Sequence, residues 1–164
     1  VLVTHDQAEA MSLSDHLVVL RDGKAVAAGE PRQVYSSPAD PEVAGFLGEV
    51  LVVSGTVSRG ADGIRVDCGL GSLEVGQWHG EEGPCRVLIR PEQIRVRPLE
   101  AAQPMPHVVG SVESQSYFGH DALVRVSVPG VEHPVSVRVP GKQACRVGDR
   151  AALEIVESVV TYSA

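Results

Sequence analysis

A chain of 164 residues, 43% hydrophobic and 21% charged, can bury a real core as one medium or two small domains. Its formal net charge of −7 excludes a general nucleic-acid or anionic-membrane surface, which demands an excess of Lys and Arg. No apolar run approaches the roughly 18 residues needed to cross a bilayer.

Taken in chain order, the apolar run Val1, Leu2, Val3 meets a polar Thr4-His5-Asp6 corner and then a segment of good helix formers. This predicts a buried strand feeding a helix N-terminus, the kind of place where an open α/β sheet gathers a phosphate. His5 sits on that rim, although a lone His after a strand is more often a hydrogen-bonded structural residue. Thr4 or Asp6 is placed to cap the helix, and Ala8, Ala10 and Met11 give it a narrow apolar face. The start inside an apparent core strand, without an initiator Met, reads as a piece of a longer protein.

Residues 17–20 read as a buried strand, Asp22-Gly23 as a tight hairpin turn and residues 25–28 as the returning strand. Pro31 opens a helix to about Tyr35. Asp40 and Pro41 start another, with Val43, Phe46 and Leu47 on one face and Gly48 at its end.

Beyond Gly48 the pattern changes from helical to strand period. Ten short Val- and Ile-rich runs, at 51–57, 64–68, 72–75, 86–89, 94–96, 108–112, 122–128, 135–139, 151–156 and 159–162, are separated by Gly, Pro and charged turns. Alternation within 123–128 and 135–139 indicates strands with one wet face. Residues 52–57 echo 108–113, and residues 98–106 read as a linker, so the region divides into two linked units. Two interwoven five-stranded barrels of OB type are the expected packing.

The β region offers few chemical groups. Arg90 and Glu92 read as a structural ion pair. Residues 114–121, Ser-Gln-Ser-Tyr-Phe-Gly-His-Asp, read either as an anion or metal pocket or as a hairpin turn. His79, His107 and His133 stand singly, without metal-ligand spacing. Cys68, Cys85 and Cys145 are odd in number and widely spaced, which suggests neither a disulfide framework nor zinc and fits a reducing cytosol. The metal expectation is none.

The longest informative string is Val3-Thr-His-Asp-Gln-Ala-Glu-Ala-Met-Ser-Leu-Ser-Asp-His16, followed by Leu17-Val-Val-Leu20, Asp22-Gly23-Lys24 and Ala28-Gly29-Glu30-Pro31. It closely resembles the end of an ABC transporter nucleotide-binding domain, with Gly-Glu-Pro where the family usually has Gly-Thr-Pro. The remainder resembles the transport-associated OB (TOBE) region of importer subunits, whose frequent Arg-Pro-Glu triplet matches Arg90-Pro91-Glu92.

The resemblance implies a mainly β fold: tandem OB-type, MOP-like antiparallel barrels preceded by the C-terminal α/β remnant of an ABC ATPase domain. The implied division is 1–48 for that remnant and 49–164 for a regulatory β domain, itself split at about 49–98 and 107–164. It makes His5 the switch histidine, which contacts the γ-phosphate of ATP in the full-length protein. ATP and Mg2+ are implied for that parent, with no cofactor site in this stretch. The phosphate loop, the Leu-Ser-Gly-Gly-Gln signature and the strand ending in Asp-Glu do not occur in this sequence, so this chain alone is expected to be inactive.

Implied partners are membrane permease subunits and a second copy, with no nucleic acid and no direct membrane insertion. The implied place is cytoplasmic, peripheral on the inner face of the membrane. Residues 117–126 are similar to importers of ferric iron or polyamines. Two other readings stay open: a stand-alone OB-type sensor of a small oxyanion, and a purely structural dimerisation module.

Overall fold

Asp22 and Gly23 turn the chain with φ of 51° and 74°, the left-handed pair that a two-residue hairpin matched to strand twist requires. They join β1 (Leu17–Arg21) to β2 (Lys24–Gly29), which pair antiparallel. This hairpin belongs to the first of two compact units, Val1–Val50 and Leu51–Ala164. The computed structural model describes residues 1–61, 63–99, 108–142 and 145–164, so most of the expected 98–106 linker and His107 lie outside the described residues.

Three short helices complete the first unit: α1 (Gln7–Leu13), α2 (Pro31–Ser36) and α3 (Pro41–Leu47). Asp40 caps α3 by accepting from the Val43 N–H at 2.8 Å, and its carboxylate also meets Arg21 at 3.1 Å. Partial burial pushes this carboxyl upward, but the Val43 N–H and the Arg21 guanidinium outweigh it and hold the group below its ordinary value. A small core of Val19, Val34, Val43 and Leu47 forms, with Met11 and Tyr35 packed against it.

Three expectations for this unit change. Residues 17–20 form the expected strand but not a buried one: only Val19 is buried, with Val18 49% and Leu20 65% exposed. Phe46 is 50% exposed and Ala44 is fully buried in its place. At about 100° per residue, the buried arc of α3 centres among positions 43, 44 and 47, and position 46 falls outside it. Val1, Leu2 and Val3 are exposed and form no strand. A strand exists only beside a partner that takes its hydrogen bonds, and among the described residues none pairs with them.

The second unit contains all ten expected strands. They are β3 (Leu51–Gly60), β4 (Gly63–Cys68), β5 (Gly71–His79), β6 (Gly83–Ile89), β7 (Ile94–Pro98), β8 (Val108–Tyr117), β9 (Asp121–Ser127), β10 (Val135–Pro140), β11 (Arg150–Ile155) and β12 (Val159–Ser163). Every second residue points inward. Val57, Val66, Val87 and Ile89 are each at most 1% exposed and fill one sheet; Val124, Val126, Val135 and Val137 are fully buried in the other. One hydrophobic cluster runs through both sheets. Gly55 lies where β3 is crowded from both sides: a Cβ there would stand 2.8 Å from Val66 and 2.9 Å from Val87.

The two sheets repeat one plan. The first runs β5-β4-β3-β6 and the second β10-β9-β8-β11, so β3 and β8, the strands whose sequences echo each other, occupy equivalent central places. The fifth strand of each is exchanged. β12, from the end of the chain, pairs with β6 and closes the first sheet into a barrel through a parallel contact with β5. β7, which follows β6 in sequence, pairs instead with β11. β10 and β7, at the two ends of the second sheet, approach each other and curl it toward closure. The strands therefore do not sort on either side of residues 98–107.

Candidate functional site

The corner at residues 4–6 is built by local hydrogen bonds. The Thr4 hydroxyl accepts the Asp6 N–H at 3.0 Å, and the Asp6 carboxylate accepts the Glu9 N–H at 2.9 Å. Asp6 thereby becomes the N-cap of α1 and holds one of the helix's unpaired donors, putting a negative charge where an anion would approach. His5 lies between these two capping residues and takes no part in either bond. His5 is exposed.

In the second unit, residues 114–121 form the end of β8, a turn and the start of β9. The Phe118 N–H donates to the Asp121 carbonyl at 2.9 Å, closing the hairpin. Asp121 is 9% exposed. One of its oxygens accepts from Arg138 at 2.5 Å, and His120, largely exposed, reaches the other at 3.5 Å. The Arg138 pair ties β9 to β10, while the β8–β9 turn itself is closed by the Phe118–Asp121 backbone bond.

Arg90 is 4% exposed and begins the short turn Pro91–Gln93. Its N–H donates to the Gln93 side chain at 2.7 Å, while the Gln93 amide donates to the Ser158 carbonyl at 3.0 Å. The Arg-Pro-Glu corner thus helps fix the chain just before β12. At the barrel mouth Arg59 lies 5.3 Å from the centre of the Trp78 ring, and His79 stacks on Tyr162 at 5.1 Å. His133 is exposed.

Cys68, Cys85 and Cys145 are free thiols, and burial pushes each above its ordinary range, which makes them poor nucleophiles at neutral pH. Among the described residues no three His, Cys, Asp or Glu side chains gather to hold a metal ion. Among them also, no helix is long and apolar enough to cross a membrane.

Sequence reasoning missed one feature, a cleft of about 500 Å³ between the barrel wall and the second sheet, lined among others by Arg65 and Arg97. Its walls are far apart in sequence, so only the alternation that turns Arg65 and Arg97 away from the buried Val66 and Val96 pointed toward it.

A mainly β unit with this interwoven topology has an OB-type fold, and the TOBE domain family matches residues 87–160. Along its whole length the chain is 36% identical to the Fe(3+) ions import ATP-binding protein FbpC 1 of Rhodococcus jostii, covering 46% of that protein. Over 95% of its length it is 33% identical to FbpC of Yersinia enterocolitica, covering 44% of it. Over 87% it is 33% identical to the spermidine/putrescine import ATP-binding protein PotA of Oleidesulfovibrio alaskensis, covering 38% of it.

These matches agree with the resemblance drawn from the sequence, to ATP-binding subunits of ABC importers that carry a TOBE domain. The chain spans about half the length of the curated relatives it matches. A structure of the cytoplasmic molybdate-binding protein ModG with molybdate bound has a TM-score of 0.52 at 13% identity, covering 70% of this chain and 96% of that one. It shows the shared fold alone.

Proposed function

We infer that this chain is the part of an importer ATP-binding subunit that supplies the switch histidine and a regulatory, dimerising β unit. The match over 95% to 100% of its length to import ATP-binding proteins carries the reading, and the Thr4-His5-Asp6 string supports it from the residues. In the full-length protein, with ATP and Mg2+ bound, the exposed His5 imidazole donates to the γ-phosphate as the attacking water arrives. Asp6 and Thr4 hold the backbone on either side of it. Hydrolysis drives solute uptake through membrane permease subunits, and the subunit works at the cytoplasmic face of the membrane. Ferric iron is the favoured solute, since the two relatives at 36% and 37% identity over 99% or more of this chain are ferric-iron proteins, whereas the polyamine relative matches 87% of it at 33%.

The β unit is assigned to pairing two subunits. Light scattering on this chain, with and without Mg-ATP, is expected to give a dimer in both conditions, because the sequence holds no phosphate loop of its own. A monomer in both would remove the dimerising role from the β unit.

A further inference from the structure

We propose that the cleft between barrel and second sheet binds a small aliphatic monocarboxylate through Arg65 and Arg97. Its volume of about 500 Å³ falls within the range of small-ligand sites. The floor is apolar: Leu73 and Leu153 line it at 8% and 4% exposure. Among the described residues no aromatic ring lines it, so the favoured body is an aliphatic chain rather than a flat ring.

Charge chooses the head group. Arg65 on β4 is held in place by Ser72 on β5, with Nε donating to the hydroxyl at 3.1 Å and Nη2 to the carbonyl at 2.7 Å. A guanidinium has five N–H donors in a fixed fork, so this anchoring uses two and leaves three. Arg97 on β7 pairs with Glu154 on β11 at 2.8 Å, with both side chains more than half exposed. An exposed pair of this kind contributes little, so Arg97 can exchange Glu154 for an incoming carboxylate at small cost. Glu154 also lines the cleft, and its charge opposes a second negative charge on the ligand, which selects a monoanion over a dianion such as a phosphate monoester. The chain as a whole is acidic, so two guanidiniums over an apolar floor stand out from the surface around them.

The test is an amide NMR titration of the 164-residue chain with octanoate, with octanol as the uncharged control. Saturable shifts are expected at Ser72, Leu73, Leu153 and Glu154. Octanol is expected to bind about tenfold more weakly, as is octanoate to a variant carrying Arg65→Ala and Arg97→Ala. Glu154→Gln, which frees Arg97 without emptying the cleft, is expected to tighten octanoate about threefold. The spectra report the fold of each variant directly, and Glu154→Gln keeps the test alive if the double variant unfolds. Equal binding of octanol, weaker binding by Glu154→Gln, or shifts confined to residues 1–50 would overturn the proposal.

Discussion

His5→Ala in the full-length subunit is expected to leave ATP binding nearly intact and to lower hydrolysis by roughly a hundredfold or more, the usual cost of removing one donor aimed at developing charge. The γ-phosphate oxygens are already charged before hydrolysis, but a donor aligned on the attack geometry gains most as bonds to the transferred group change. The structure makes the substitution clean. His5 is exposed, whereas the hydrogen bonds that build its corner come from the Asp6 and Glu9 N–H groups to the Thr4 and Asp6 side chains. Losing the imidazole therefore leaves the helix cap standing. Nucleotide affinity and saturating turnover, measured side by side, distinguish the two roles: weakened affinity with unchanged turnover would make His5 a ground-state contact.

Ending the chain at Ser158 is expected to unfold the β unit rather than trim it. β12 closes the barrel between β5 and β6, and its removal exposes two strand edges at once. Val159 and Thr161 are fully buried, and Val160 and Tyr162 are 8% and 6% exposed. Returning the three apolar side chains to water costs on the order of 6 to 8 kcal/mol, comparable with the roughly 5–15 kcal/mol that holds a typical domain together. Thermal unfolding followed by circular dichroism should show no cooperative transition for the truncated chain. Because β12 and β7 are exchanged, residues 51–98 expressed alone should be equally unfolded, and mixing them with 108–164 should restore a cooperative transition. A stable, folded 51–98 product would show that the exchange is dispensable.

The strands were legible because alternation is local: each inward Val of 123–128 or 135–139 announces its own face, and Asp22-Gly23 announces its own turn. Their partners were not. Whether the run at 159–162 lies beside β11 or beside β6 depends on contacts some seventy residues distant, and period-2 patterning is identical in both cases. The echo between residues 52–57 and 108–113 revealed two equivalent units, and interwoven barrels were the expected packing, yet nothing in the echo indicated which strands are exchanged. The cleft was hidden for the same reason, since Arg65 and Arg97 come together only when the two sheets do.

Burial at α3 was misread because a seven-residue helix leaves its apolar arc poorly defined, and a small Ala44 took the place expected for Phe46. At the N-terminus, Val1 to Val3 have strand-forming side chains, but a strand is a property of a pair. His5 itself came from the string around it and not from geometry: exposed side chains at short helix starts are common, and only the order Thr-His-Asp-Gln-Ala-Glu singled this one out.

The most direct measurement is ATP-dependent solute uptake by the full-length subunit reassembled with its permease in sealed vesicles, using radioactive ferric iron and spermidine in parallel. Accumulation of iron that requires ATP and collapses with His5→Ala is the expected result. Uptake that proceeds without ATP, or a subunit that hydrolyses no ATP even with its permease, would contradict the assignment of this chain to an energy-coupling importer subunit.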